Sequence, residues 1–390
     1  MSGPAAQQVS ASASVAPRGI ARRAIEEILS PAGVAINGNA PWDLRVHDER
    51  FFARVLAEGT LGLGESYVEG WWDCDRLDEM VCRALRQNLD HRILDWRNRL
   101  FLVLMRLRNL QTLTRAKEVA ERHYDLGNRF FAQMLGPTMN YSCAYWRDAH
   151  DLDAAQEAKM DLVARKLQLR PGDRLLDIGC GWGSMVRFAA ERYGCEAVGI
   201  TISKEQHAWA EDWVRGTPAR ALLLDYRGTE LQRLGPFDKI VSIGMFEHVG
   251  RRNYREFFSV IETLLKNDGL FLLHTIVNDH SAAEPWVNRY IFPNGMLPSH
   301  GDLDRALRGL FIVEDLHNFG ADYDRTLMAW HANYSRYEAQ PDFPHSPQFQ
   351  RMWRYYLLTY AGSFRARTRN QLCQVVLTKG GMPGGYRSVR

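Results

Sequence analysis

The stretch Leu175-Leu-Asp-Ile-Gly-Cys-Gly-Trp-Gly183 constrains the fold of this chain more than any other. Leu175 to Ile178 read as a short buried strand, and Gly179, Gly181 and Gly183 follow at once. A helix beginning near Trp182 then carries Met185, Phe188 and Ala189 at helical spacing. Glycines at such a turn let the backbone pass close to a ligand, and the helix start offers unpaired N–H groups to an anionic group. Strand, glycine turn and helix in that order open a nucleotide-binding α/β fold.

The alternation continues downstream. Glu196 to Ile200, Ala221 to Leu224, Lys239 to Ile243 and Leu270 to Ile276 read as strands, with helices over Lys204 to Val214 and Tyr254 to Leu265. Gln371 to Thr378 reads as a late strand that joins the same sheet. Repeated βα units predict a mostly parallel sheet with helices on both faces and ligands at the carboxyl ends of its strands. Tyr290-Ile-Phe-Pro-Asn-Gly295 reads as a strand or turn insertion, and Arg365, Arg367 and Arg369 as a solvated basic edge.

The 390 residues suffice for two domains. Residues 1–19 read as a disordered leader, rich in Ser, Ala and Gln without the apolar core of a signal peptide. A smaller helical domain is expected over 20–115 and the α/β domain over 116–390. In the first, Asp48 to Leu56 and Asp78 to Leu85 space their apolar residues as amphipathic helices do. Farther on, Trp96, Leu100, Phe101, Leu104, Leu107 and Leu110 form an apolar stripe beside Arg97, Arg99, Arg106, Arg108, Arg115 and Lys117. Such a helix suits an anionic membrane surface, its own domain or a second subunit.

Charge and cysteines narrow the function. A balance of 49 basic and 46 acidic residues is too even to argue for nucleic acid. Six cysteines without a C-x-x-C pair indicate neither a zinc site nor a disulfide framework, and fit reduced thiols in a cytoplasm. No apolar run reaches the roughly 20 residues that span a bilayer.

The turn itself does not suit a dinucleotide or a P-loop. The second strand ends in Thr201, not an acid, and no Gly-Lys-Ser/Thr follows. The D-x-G-x-G form from Asp177, with Asp225 closing the third strand, fits S-adenosylmethionine. Its carboxylate would meet the glycine N–H groups and Asp225 would accept from the adenine amine.

Several further segments carry a resemblance. Tyr141-Ser-Cys-Ala-Tyr-Trp146, Thr201-Ile-Ser-Lys-Glu-Gln206, Asp225-Tyr-Arg227, Gly244-Met-Phe-Glu-His-Val-Gly250, Leu272-Leu-His-Thr-Ile276, Asn318-Phe-Gly-Ala-Asp-Tyr-Asp324 and Phe364-Arg-Ala-Arg367 stand in that order. Together with the glycine turn they resemble the cyclopropane-fatty-acyl-phospholipid synthases over roughly residues 50 to 385.

The resemblance implies a class I S-adenosylmethionine-dependent methyltransferase fold. It also implies methylene transfer to the cis double bond of a phospholipid acyl chain, through a carbocation that a bound bicarbonate deprotonates. Cys143, Glu247, His274, Tyr323 and the backbone of Ile276 match the residues that hold bicarbonate in that family. Tyr141, Ser142, Gly179, Cys180, Gly181, Thr201, Ile202, Ser203, Gln206, Tyr226 and Arg227 match its cofactor contacts. A homodimer, peripherally attached to the inner face of the cell membrane, is implied as well. Tyr360 stands where many members carry cysteine, which leaves no essential role for that thiol. A methyl- or methylene-branched product, and a non-catalytic lipid-binding relative, are the competing readings.

Overall fold

The computed structural model describes residues 18–89, 126–279 and 283–390. The leader through residue 17 and the basic stripe from Trp96 to Leu110 lie outside the described residues.

Four helices come first: α1 (Arg18–Leu29), α2 (Arg50–Glu58), α3 (Thr60–Val68) and α4 (Leu77–Arg86). Phe51, Phe52 and Val55 bury one face of α2, as their spacing predicts. Gly59, at φ 62°, breaks the chain between α2 and α3. On α3, Gly64 lets Trp286 lie against the backbone, where a Cβ would come within 2.4 Å of the indole.

Next come α5 (Asn128–Leu135) and α6 (Leu152–Lys166). Asp151 caps α6 by accepting from the Ala154 N–H. The sheet then runs through β1 (Arg174–Ile178), α7 (Ser184–Tyr193), β2 (Glu196–Thr201), α8 (Lys204–Trp213), β3 (Ala219–Leu223) and β4 (Phe237–Ile243). After these come α9 (Tyr254–Leu264), β5 (Leu265–Val277), α10 (Pro285–Tyr290), α11 (His300–Leu307) and β6 (Ile312–Asn318). Two long helices, α12 (Ala321–Glu338) and α13 (Pro347–Ala366), precede β7 (Gln371–Thr378).

The seven strands lie in the order β3-β2-β1-β4-β5-β7-β6. The pairs from β3 to β5 are parallel, while β7 runs antiparallel between β5 and β6. The order reverses between β1 and β4, so a crevice opens at their carboxyl ends.

Four expectations are corrected. The helix after the glycine turn begins at Ser184, because Gly183 at φ 90° still belongs to the turn. Strand β5 starts at Leu265, five residues early, since Leu265 already pairs with Phe237. Of the strand or turn read over Tyr290 to Gly295, the turn is present from Ile291 on, but Tyr290 itself closes a short helix. Arg365 is no solvated edge: it binds Asp324 at 2.9 Å and Asp78 of α4 at 2.6 Å.

That last pair ties α4 to α13. The apolar residues of α1 to α4 also share one core with Phe130, Trp330 and Trp353.

Candidate active site

All twelve expected cofactor residues line one cleft at the carboxyl ends of β1, β2 and β4. They are Tyr141, Ser142, Gly179, Cys180, Gly181, Thr201, Ile202, Ser203, Gln206, Asp225, Tyr226 and Arg227. Gly179 and Gly181 sit at φ 84° and 55°, and a Cβ on Gly179 would lie 2.6 Å from Met245. That close approach explains why a glycine stands there. The amides of the turn are partly engaged, contrary to expectation: those of Gly179 and Cys180 both donate to the Ile200 carbonyl at 2.9 Å. This bond laces the turn to β2 and fixes its shape.

On the far wall, Ser203 caps α8 by accepting from Gln206 N, and Thr201 Oγ1 lies 2.9 Å from Gln206 Oε1. Asp225 is held by Arg227, whose Nε and backbone N–H both donate to Oδ1 at 2.9 Å.

Residues 139–142 form the near wall, held by α6. Gln156 Nε2 donates to the Ser142 carbonyl at 2.9 Å. Lys159 Nζ donates to Asn140 Oδ1 at 2.8 Å and to Ser142 Oγ at 2.9 Å. Lys159 is fully buried, which pulls its pKa down to about 7, and burial pushes Asp177 up to about 7 with the Lys159 charge opposing. Sequence reasoning missed Gln156 and Lys159. Their signal is two polar residues three apart on a helix face that buries its apolar neighbours.

A second group lies one step deeper. Cys143 follows Ser142 directly, and Glu247 follows the Gly244–Met245 segment that lines the cleft. Cys143 is buried in a cluster with Tyr145, Leu162, Phe319 and Leu372, against which Ile276 and Tyr323 pack. Burial raises its pKa well above that of an ordinary thiol, and its Sγ donates to the Ala144 carbonyl at 3.3 Å. The sulfur therefore stays protonated.

Glu247 Oε1 accepts from the Ile276 N–H at 2.7 Å. The backbone N–H of Ile276 is thus taken by a protein carboxylate, which ties β5 to the segment after β4. Burial raises the Glu247 pKa, with that N–H bond opposing. Burial also lowers His274 well below the usual imidazole range, so the ring is neutral. The Tyr323 ring stacks on Phe364 with centroids 4.5 Å apart, and burial raises its hydroxyl pKa.

Two atoms here have unmet hydrogen-bonding capacity: Glu247 Oε2 and His274 Nε2 are both buried without a partner. Buried polar atoms are normally paired, so an acceptor and an imidazole nitrogen left over at one end of the sheet fit a small polar group. An aromatic wall adjoins them. The Tyr141 ring packs on Phe131, Phe292 and Trp330, and its hydroxyl lies 3.0 Å from that of Tyr356. His248, another residue missed from sequence, lines the cleft beside Phe292. Among the described residues no cluster of His, Cys, Asp or Glu is placed to hold a metal ion.

The strand order, the glycine turn after β1 and the cleft at the switch point define a class I S-adenosylmethionine-dependent methyltransferase fold. Residues 111–375 match the family described as mycolic acid cyclopropane synthetase. The chain belongs to that family. It is 48% identical over 371 residues to the cyclopropane-fatty-acyl-phospholipid synthase of Escherichia coli K12, covering 94% of this chain and 96% of that protein. Two solved structures superpose well. The cyclopropane synthase MmaA2 of Mycobacterium tuberculosis gives a TM-score of 0.63 at 32% identity, covering 70% of this chain and all of that one. The mycolic acid cyclopropane synthase CmaA1, complexed with SAH and CTAB, gives 0.62 at 34% identity, covering 67% and 98%.

Proposed function

We propose that the chain adds a methylene from S-adenosylmethionine across the cis double bond of an unsaturated acyl chain in a membrane phospholipid, forming a cyclopropane ring. The single observation that carries the reading is that the chain passes directly from the cleft wall at Tyr141 and Ser142 into the buried polar cluster at Cys143. S-adenosylmethionine supplies an electrophilic methyl group on a sulfonium, and a bound bicarbonate supplies the base.

The residues divide the work. The glycine turn, Thr201 to Gln206 and Asp225 to Arg227 hold the methyl donor, so that an alkene, a poor nucleophile, is brought close to its methyl group. The methyl carbon bonds to one alkene carbon as the C–S bond breaks, and the positive charge passes to the other alkene carbon. The faces of Tyr141, Phe292 and Trp330 stabilise that charge and exclude water. Loss of a proton from the new methyl then closes the ring.

No enzyme nucleophile is required, in keeping with a protonated Cys143 and with Tyr360. His274 Nε2 and Tyr323 donate to the bicarbonate. Glu247 accepts the bicarbonate O–H through Oε2, and so orients the base without being the base.

Membrane attachment and dimerisation belong to the same proposal. The reacting bond lies mid-chain in a bilayer, and among the described residues no helix is long and apolar enough to cross a membrane. Residues 20–115 then provide peripheral contact with anionic lipid on the cytoplasmic face, or the contact between two subunits.

The test is methyl transfer from labelled S-adenosylmethionine to phospholipid vesicles, with and without bicarbonate. Label is expected in unsaturated vesicles only, in a product that resists ozone, and the rate is expected to fall when bicarbonate is removed. An ozone-cleavable product overturns ring closure in favour of a branched chain. Cofactor binding without any transfer overturns the enzymatic reading.

A further inference from the structure

Three polar side chains stand in register across the antiparallel end of the sheet. His274 on β5 is paired with Gln374 on β7, and Gln374 in turn with His317 on β6. Directly paired residues project from the same face, so an imidazole, an amide and a second imidazole form one row. Gln374 is fully buried. A buried primary amide is costly where its hydrogen bonds are unmade, and here Oε1 has no partner while Nε2 has one.

Its Nε2 donates to His274 Nδ1 at 3.2 Å. An imidazole nitrogen that accepts carries no proton, so in the neutral ring the proton sits on Nε2. That is the atom left without a protein partner. Phe319 packs against both imidazoles, with centroids 5.8 Å from His274 and 4.9 Å from His317, and restrains the rotation that would exchange the two nitrogens.

We propose that Gln374 is a positioning residue for the anion site: it holds neutral His274 in the Nε2–H tautomer, so that a donor and not a lone pair faces the bound bicarbonate. The inference rests on the bicarbonate reading above. In the opposite tautomer the Nε2 lone pair would face an anion oxygen, and with Glu247 already an acceptor the site would repel its ligand. Gln374 acts only through His274.

Long-range proton–nitrogen spectra of the full chain labelled with 15N-histidine test this directly, with His274 assigned by its loss in His274→Asn. The wild type is expected to show Nδ1 bare and Nε2 protonated. Gln374→Met, similar in size, should mix the tautomers, and Gln374→Glu, an acceptor, should move the proton to Nδ1. In Gln374→Met the half-saturating bicarbonate concentration should rise roughly tenfold, with a smaller change in the rate at saturating bicarbonate. Melting curves check that each variant is folded.

A wild-type ring protonated at Nδ1, or a tautomer unmoved in both variants, overturns the proposal. If a variant does not fold, the wild-type spectrum still decides. Wild-type turnover indifferent to bicarbonate overturns the parent reading instead, and leaves the tautomer assignment standing or falling on its own spectrum.

Discussion

In the cleft, Gly179 and Gly181 adopt positive φ and present backbone, whereas one residue beyond Ser142 the chain enters the buried group of Cys143, Glu247, His274 and Tyr323. The cleft contacts come from consecutive short segments at strand ends. Those of the polar cluster come from four segments far apart in the chain, and burial shifts the pKa of each towards its neutral form. On the proposed reading, cofactor recognition is built from local backbone shape, and the chemistry from remote side chains brought out of water by the fold.

If that division is real, the two regions respond differently to substitution. The largest effect is expected from Glu247→Gln, which keeps the shape but replaces the free acceptor Oε2 with a donor amide. Turnover should fall on the order of a thousandfold with the KM for S-adenosylmethionine unchanged. Full activity with unaltered bicarbonate dependence would remove Glu247 from its orienting role.

Gly179→Ala should do the converse. The added methyl meets Met245 at a φ that L-residues disfavour, so donor affinity should drop roughly tenfold, read by calorimetric titration with S-adenosylmethionine. A rate loss without a change in donor affinity would blur the boundary between the regions.

Acid sharpens the comparison a third way. Burial holds His248 at about 4, below its unfolded value near 6.5. The unfolded chain therefore binds a proton that the native state refuses. This costs nothing above about pH 6.5, and the cost grows as pH falls towards 4, with about 2 kcal/mol of stability lost by pH 5. His274 acts in the same direction. His248→Phe should accordingly flatten the fall in melting temperature between pH 7 and 5, and an unchanged slope would count against a neutral buried ring.

The smallest effect is expected from Cys143→Ser, which keeps a hydroxyl donor. Activity should drop by less than about tenfold, since one modest hydrogen bond is altered. Loss of all activity would point to a nucleophilic sulfur instead.

The sheet was largely legible in the sequence because its strands are continuous apolar runs; Gln371 to Thr378 matches β7 to the residue. Strand β5 was read short because Lys266, Asn267 and Asp268 look like a turn. They bulge out between two pairs with β4, Leu265 with Phe237 and Leu270 with Lys239, and the Lys266–Asp238 ion pair at 2.6 Å ties the bulge to the sheet. Arg365 was misread because its partners, Asp78 and Asp324, lie 287 and 41 residues away. Lys159 and Gln374 were missed for a related reason. A lysine on a helix and a glutamine in a strand are ordinary until the fold removes their water. The cleft residues, short-range and glycine-marked, needed no such context.

The segment from Asn140 to Cys143 has a further consequence. Gln156 and Lys159 pin Ser142 on one side, and Thr326 Oγ1 accepts from the Ala144 N–H at 3.1 Å on the other. Successive Cα atoms are about 3.8 Å apart, so the end of the segment at the cleft and its end in the polar cluster are spaced by covalent bonds. On the proposed reading this makes the segment a ruler between methyl donor and base. Which carbon along an acyl chain is modified then depends on where the chain is stopped, while the bond-making distance stays the same.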